Sequence, residues 1–136
     1  MSPRALVQRF YFEVWNTGDE GAAHAILAPD LRFRGSLGLE RRGPDGFVDY
    51  MRGVRAALGG YRCIIDQLVA DAESAAARTR FRGRHRGPFL GFEPTGREVE
   101  WSGAAFFTMS GSRIETIWVL GDLEGLRAQL DDRKAG

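Results

Sequence analysis

Asp122 is the residue whose position most strongly suggests chemistry. It follows the apolar sequence IWVLG near the end of the chain. Strict strand alternation would place Asp122 on the same side as Trp118 and Leu120. A carboxylate among apolar side chains loses hydration, which raises its pKa and allows it to remove a proton from a carbon acid near neutral pH. Asp122 also directly precedes a predicted helix, so it can equally be the N-cap of that helix, and one residue could do both.

His85, one of two histidines, is the second candidate. It ends an alternating run just before the loop RGPFLGFEPTGR, where an imidazole could polarise a carbonyl or shuttle a proton. The alternative is a histidine bonded to a backbone carbonyl of that loop, which is preferred for His85 taken alone. A pocket shared with Asp122 would reverse the preference, and sequence spacing does not decide it. His24, in the middle of a short helix, is assigned no role.

Large aromatic side chains recur at positions expected to face the interior. They form core by default, and some could line an apolar cavity for a flat ligand. The predicted substrate-binding residues are Trp15, Phe33, Tyr50, Phe81, Trp101, Phe107 and Trp118.

The elements that position these residues follow from periodicity and capping. Ser2 and Pro3 begin a helix that Gly18 ends, and Asp19 caps a second helix that Pro29 ends. A strand over 31–37 leads to a helix from Pro44 that breaks at 59–60. Strands are predicted over 61–70, 77–86, 97–109 and 113–122, before a closing helix over 123–130. Helices followed by a run of antiparallel strands predict an α+β architecture with helices on one face of a sheet.

The clearest alternation lies in the fourth strand, where every second residue is arginine. One side of this strand therefore faces solvent, and the other side, which includes Phe81 and His85, faces inward. The outward set is Arg78, Arg80, Arg82, Arg84 and Arg86. Aromatic residues are absent from this set, so it predicts a solvated sheet face rather than a nucleic-acid stripe. Glu93, Glu98 and Glu100 can offset part of its charge across strands.

Composition narrows the functional classes. The length predicts one domain, residues 1–136. The net charge of +1 gives no electrostatic footprint for nucleic acid or an anionic membrane. The single cysteine, Cys63, allows no internal disulfide and favours a reducing compartment, and no signal peptide or membrane span is visible, so we expect a cytoplasmic protein. Phosphate-binding, HExxH and GxSxG motifs are missing and a zinc site is not expected, so no cofactor or metal is predicted.

Three stretches resemble the SnoaL-like polyketide cyclases of the nuclear-transport-factor-like superfamily. FYFEVWNTGD resembles the family's opening helix with its Trp-Asn pair, here Trp15 and Asn16. GRHRGPFLGFEPTGREV resembles its strand end and Pro-Thr-Gly turn, with His85 and residues 94–96. RIETIWVLGDLEGLRAQL resembles its Ile–Trp–Asp strand and closing helix. The resemblance as a whole spans almost the entire chain.

The resemblance implies a cone-shaped, curved antiparallel sheet with helices packed on its concave face, closing an apolar pocket. It implies cofactor-free closure of a polyketide ring by an intramolecular aldol reaction, with the family's acid/base aspartate at Asp122. It also implies a homodimer through the open sheet face. Two departures stand out: Thr116 occupies a position that is often acidic, and GAAFFTM lacks the histidine that characterised cyclases carry on that strand.

The predicted function is therefore a cofactor-independent acid/base enzyme for a small, hydrophobic, carbonyl-bearing molecule, with Asp122 as the base and Trp118 and His85 orienting the ligand. An isomerase or epoxide hydrolase on the same scaffold is one alternative, although the hydrolase needs two carboxylates bridged by an arginine in the pocket. A non-catalytic, dimeric module that binds a small ligand is the other, and Asp122 would then be only a cap.

Overall fold

The computed structural model describes residues 1–131, in which six strands form one curled, unclosed sheet with helices on its inner side. The strands are β1 Leu27–Arg34, β2 Glu40–Arg42, β3 Leu58–Ala70, β4 Ser74–His85, β5 Glu98–Ser110 and β6 Arg113–Gly121. Their order across the sheet is β2-β1-β6-β5-β4-β3. Neighbours are antiparallel except β1 and β6, which are parallel. The predicted α+β class is confirmed.

The opening helix forms as its sequence predicts, and then widens. Helix α1 spans Pro3–Arg9, and the Ser2 hydroxyl accepts a hydrogen bond from the backbone N–H of Ala5 at 3.1 Å. It continues as a π-helical segment, Phe10–Trp15. Such segments are rare and frequently occur at functional sites. Four of the six residues in this segment are buried: Phe10, Tyr11, Val14 and Trp15.

Asn16, directly after the π-helical segment, fastens this helix to the sheet edge. Its side-chain amide donates to the backbone oxygen of Cys63 at 3.1 Å, and its side-chain oxygen accepts from the Cys63 N–H at 2.7 Å. Arg4 also donates to the backbone oxygen of Leu68 at 3.0 Å. Both partners lie on β3, which is an edge strand. The two side chains therefore take backbone groups that no neighbouring strand can reach.

Three further helices follow: α2 Glu20–Ile26, α3 Gly43–Ala57 and α4 Leu123–Leu130. Aspartate side chains cap two of them, α2 and α4. Asp19 caps α2, as predicted. The expectation that Pro29 ends α2 is wrong, because the helix stops at Ile26 and Pro29 lies in β1 where the register with β6 shifts. Proline is tolerated in a strand at such irregular positions. The short strand β2 was not predicted.

The arginine alternation in β4 is confirmed. Its inward residues, Phe81 and His85 among them, are buried. On the outward side Arg82 lies opposite Glu100 and Arg84 opposite Glu98, as the sequence predicts. Arg80 binds Asp66 at 2.9 Å and Glu100 at 3.3 Å. These exposed pairs contribute little stability but reduce the repulsion between neighbouring arginines.

Strand β6 departs from the predicted alternation because it contains a bulge. Thr116 lies opposite Thr108, but Ile114 already lies opposite Met109. Glu115 is therefore an extra residue that has no partner on β5. An insertion of one residue exchanges the two faces of everything that follows it.

The exchange of faces corrects the prediction that Trp118, Leu120 and Asp122 point inward with Ile114. Ile117 and Val119 are buried instead, with exposed fractions of 1% and 5%. Trp118 and Leu120 are 46% and 54% exposed on the outer face.

Two glycine substitutions test this packing with opposite expected signs. A Cβ at Gly103 would lie 2.5 Å from the Phe81 ring and 3.2 Å from the backbone oxygen of Leu120, so Gly103→Ala should lower the free energy of unfolding by about 1–3 kcal/mol. Gly53 in α3 has nothing within 4 Å, so Gly53→Ala should raise it by about 0.5–1 kcal/mol. Urea denaturation measures both, and a stabilising Gly103→Ala would contradict the placement of the Phe81 ring.

Candidate active site

An aromatic hollow lies between the helices and the inner face of the sheet. It encloses about 350 Å³ of atom-free space out to its open mouth, but only about 20 Å³ is wide enough for a water molecule to move in. That smaller volume has room for about one water. The lining residues are mostly aromatic or aliphatic, and none of those described carries a charged group: Phe10, Tyr11, Trp15, Phe33, Ser36, Leu37, Tyr50, Val54, Tyr61, Phe81, Trp101 and Val119.

Aromatic rings in edge or tilted contact form the wall of the hollow. Trp15 contacts Tyr61 with ring centroids 5.1 Å apart, and Phe33 contacts Tyr50 at 5.0 Å. Such pairs are favourable beyond the area that they bury. Five predicted substrate-binding residues are brought together here: Trp15, Phe33, Tyr50, Phe81 and Trp101.

The other two predicted substrate-binding residues lie elsewhere. Phe107 is buried against Phe10 at 5.7 Å, in the core rather than in the hollow. Trp118 is on the outer face, so a ligand that contacts it would occupy a different site from the hollow. The binding roles of all seven residues remain predictions.

Some polar groups of the wall have protein partners. The Tyr50 hydroxyl accepts from the Leu37 N–H at 3.5 Å, and the Cys63 thiol, beside the hollow, donates to the Tyr61 hydroxyl at 3.6 Å. Burial raises the pKa of both tyrosines, and it raises the pKa of Cys63 to about 12. These groups are therefore uncharged at neutral pH, which leaves Cys63 a poor nucleophile.

Two polar atoms of the wall have no hydrogen-bond partner among the described residues. They are the hydroxyl of Tyr11 and the indole nitrogen of Trp101, whose side chains are almost fully buried. Leaving a buried polar group unpaired costs about 1–3 kcal/mol. Tyr11 was not among the predicted site residues because it fits the apolar stripe of the first helix. The one signal in the sequence was a hydroxyl group in that stripe.

Asp122 lies outside the hollow and directly follows Gly121. Its side chain accepts from the Gly125 N–H at 3.0 Å and caps α4, and it is exposed. The apolar surroundings predicted for it are therefore wrong, because the bulge in β6 turns Asp122 outward. The preceding Gly121 packs against two lining residues: a Cβ there would lie 2.8 Å from the Ser36 Cβ and 3.2 Å from the Trp101 indole nitrogen.

His85 is fully buried and tied to its loop. The N–H of Thr95 donates to its Nδ1 at 3.1 Å, and the ring packs against Phe89 with centroids 6.5 Å apart. The loop alternative thus fits the geometry, although the partner is a backbone N–H rather than a carbonyl. Nε2 has no partner among the described residues. His85 does not line the hollow, so the structure does not bring His85 and Asp122 into one pocket. The catalytic roles of both residues remain predictions.

An exposed apolar surface, which we call the outer patch, covers the middle of the opposite sheet face. It consists of Val69, Phe106, Trp118 and Leu120, each about half exposed. The rings of Phe106 and Trp118 lie 6.0 Å apart, and the Arg34 guanidinium sits 5.2 Å from the Trp118 ring centroid.

The described part of the chain contains no cluster of three or more His, Cys, Asp or Glu side chains arranged to hold a metal ion. Its helices are also too short or too polar for any of them to traverse a lipid bilayer. The predictions of cofactor-free chemistry and of a cytoplasmic location rest on the sequence.

Solved structures place the fold in the nuclear-transport-factor and ketosteroid-isomerase-like class. A protein from Catenulispora acidiphila described as having a ketosteroid isomerase-like fold, in complex with trimethylamine, superposes with a TM-score of 0.79 at 14% identity, covering 96% of this chain and 94% of that one. A proposed SnoaL-like polyketide cyclase from Jannaschia sp. CCS1 gives 0.86 at 17% identity, covering 97% and 96%. TsrD from Streptomyces laurentii gives 0.82 at 28% identity, covering 93% and 92%.

The sequence itself narrows this class to one family. The family model for SnoaL-like polyketide cyclases matches residues 5–130, so the chain belongs to that family, as the sequence motifs predict. The family is enzymatic in general. Among curated proteins none matches the sequence significantly.

Substitutions at Asp122 separate its capping role from its charge. Asp122→Ala removes the acceptor for the Gly125 N–H and should lower the free energy of unfolding by about 0.5–2 kcal/mol. Asp122→Asn keeps an oxygen that caps nearly as well, so its stability should stay close to that of the wild type. Thermal and urea denaturation of both variants provide the check, and an equal loss in both would contradict capping through hydrogen bonding.

Proposed function

We propose that this protein is a cofactor-independent acid/base enzyme that acts on a small, hydrophobic, carbonyl-bearing molecule, in the manner of a polyketide cyclase. One observation carries the proposal: Gly121 packs against Ser36 and Trp101 of the uncharged aromatic hollow, and the carboxylate of Asp122 comes next in the chain. Membership of the SnoaL-like family supports the same reaction class. The aromatic wall suits a flat, apolar guest.

The proposed reaction balances without any added oxidant or reductant. Asp122 takes a proton from the carbon next to one carbonyl, and the electron pair of that C–H bond forms an enolate. The enolate carbon bonds to the carbon of a second carbonyl, whose oxygen receives the proton back from Asp122. Holding the two reacting carbons together lowers the activation free energy by up to about 7–11 kcal/mol in well-oriented intramolecular reactions.

Two movements are part of this proposal. Asp122 leaves its capping position, which costs about 0.5–2 kcal/mol. The hollow also widens, because its water-accessible space of about 20 Å³ is smaller than any ring-sized guest. Ser36 and Leu37 lie in the segment between β1 and β2, outside regular structure, and are the wall residues best placed to move.

A non-catalytic ligand-binding module is the second candidate. The observation that favours it is the engagement of Asp122 in its cap with its side chain exposed to water. An isomerase would use the same proton removal and differ only in where the proton returns. No carboxylate and no arginine lies among the described wall residues, so the hydrolase alternative has no support from the geometry.

Hydrogen exchange on a simple ketone tests proton removal without the natural substrate. β-Tetralone is flat and apolar, and it carries an acidic C–H group beside its carbonyl. In D2O near neutral pH the wild-type protein should speed loss of the NMR signal of that group above the buffer rate. Asp122→Asn should lower the protein-catalysed rate by about 100-fold, because general bases contribute roughly 10²–10⁴-fold.

Asp19→Asn is the matched control, because Asp19 also caps a helix through its side chain, accepting from the Ala22 N–H at 2.9 Å. Its exchange rate should equal that of the wild type. An unchanged rate in Asp122→Asn would remove Asp122 from the mechanism. A wild-type protein that binds β-tetralone but does not speed exchange would favour the non-catalytic module.

The predicted homodimer is also a proposal, and we assign it to the outer patch. Four of the seven exposed large hydrophobic residues of the described chain lie there: Val69, Phe106, Trp118 and Leu120. On this face Arg80 binds Asp66 and Arg82 lies opposite Glu100, whereas Arg78 lies opposite Ala104, so a second copy approaching the patch would meet charge that is partly neutralised. Burying such a patch against its own copy removes apolar surface from water.

Two phenylalanines of equal exposure test the interface. Phe106 on the outer patch is 51% exposed, and Phe12 in the π-helical segment is 50% exposed. Phe106→Glu should convert a sedimenting dimer to a monomer, because two carboxylates would be buried at its centre. Phe12→Glu should leave the dimer intact. A wild-type monomer at high micromolar concentration would refute this interface.

A further inference from the structure

Two hydrogen-bond donors in the wall of the hollow, the Tyr11 hydroxyl and the Trp101 indole N–H, bond to no other group among the described residues. We propose that the Tyr11 hydroxyl and the Trp101 indole N–H donate hydrogen bonds to carbonyl oxygens of the ligand and thereby select an uncharged ketone over a hydrocarbon of the same shape. This inference rests on the ligand class of the proposed function and assigns the residues that recognise it.

Tyr11 meets the requirements of a donor held ready for a guest. Its side chain is 1% exposed, lines the hollow and has no hydrogen-bond partner among the described residues. Burial raises the pKa of its hydroxyl well above the ordinary value, and Cys63 adds to the shift, so the proton stays on the oxygen. A buried donor without an acceptor is an unfavourable arrangement that a carbonyl oxygen would relieve.

Trp101 supplies the second donor, at the rim of the hollow. Its indole nitrogen is close to Gly121 and Ser36, because a Cβ built at Gly121 would contact both residues. An indole N–H donates and cannot accept, so its ligand partner must be an acceptor.

The remaining wall explains why the ligand is uncharged. None of the described residues that line the hollow is cationic, and its tyrosines are protonated at neutral pH. An anion moved into such surroundings would lose its hydration without gaining a counter-charge. A ketone, in contrast, is uncharged and still carries an oxygen that accepts a hydrogen bond. An aldol substrate also carries two carbonyl groups, which matches two separate donors.

Two bicyclic probes of nearly equal shape test the assignment. β-Tetralone carries a carbonyl oxygen and tetralin does not. Isothermal titration should give the wild-type protein at least a tenfold preference for the ketone beyond what the two compounds' relative solubility explains. Tyr11→Phe removes only the hydroxyl oxygen and should reduce that preference about tenfold, which corresponds to about 1.4 kcal/mol.

Stability provides a readout that a structural role would not give. Tyr11→Phe should unfold at the same temperature as the wild type or at a higher one, since the lost hydroxyl has no partner. Thr79→Val is the matched control. It removes a buried hydroxyl that does have a partner, the backbone oxygen of Gly103 at 3.2 Å, and that does not line the hollow. This control should lower the unfolding temperature and leave the ketone preference unchanged.

The Trp101 donor is followed by NMR of the ¹⁵N-labelled protein. The chain has three tryptophans, and Trp101→Phe identifies the indole signal of Trp101. β-Tetralone should move this indole proton signal to lower field, as a new hydrogen bond does, and tetralin should not.

Each outcome decides a separate question. Equal binding of both probes by the wild type would overturn the donor assignment and leave the hollow as a binding site. An unchanged ketone preference in Tyr11→Phe would overturn the role of the Tyr11 hydroxyl. An indole signal of Trp101 that does not shift when the ketone is added would overturn the role of the Trp101 N–H. Binding of neither probe would overturn the inference and the proposed function together. Failed hydrogen exchange with an intact ketone preference would overturn only the proposed catalysis.

Discussion

One inserted residue, Glu115, determines which side chains of β6 point toward the interior. Without this bulge, the alternation that begins at Ile114 would continue inward through Trp118 and Leu120, and the hollow would be lined by different groups. With it, Val119 lines the hollow, Gly121 lies against Ser36 and Trp101, and two large apolar side chains face outward instead. The position of Val119 in the hollow and the exposure of Trp118 and Leu120 are therefore two consequences of the same backbone irregularity.

The bulge also explains how chemistry is distributed between the inside and the edge of the hollow. The interior offers only neutral groups, because burial keeps its tyrosines protonated. The carboxylate of Asp122 stays outside the hollow, where it caps α4. Such a division avoids the desolvation of a buried carboxylate. Any proton transfer from a guest to Asp122 then depends on how closely the guest and the carboxylate can approach each other.

Local features of this protein could be predicted from its sequence, and non-local ones could not. The caps at Ser2 and Asp19 depend on a few neighbouring residues, and both form as predicted. The β4 alternation was visible because arginine occupies every second position, whereas β6 mixes polar and apolar residues on both sides of Glu115. A bulge leaves no composition signal there. Whether the Tyr11 hydroxyl has a hydrogen-bond partner depends on residues far away in the chain. Periodicity alone therefore predicted only that Tyr11 is a core residue.

Asn16 has a consequence beyond fastening a helix. The outer rim of β3 would otherwise present free amide and carbonyl groups, to which a strand from another molecule could attach. By occupying both groups of Cys63, the Asn16 carboxamide imitates a short piece of a seventh strand, and Arg4 blocks a further carbonyl at Leu68. The open end of the sheet is thereby protected against fibril-like growth by two side chains from the first seventeen residues.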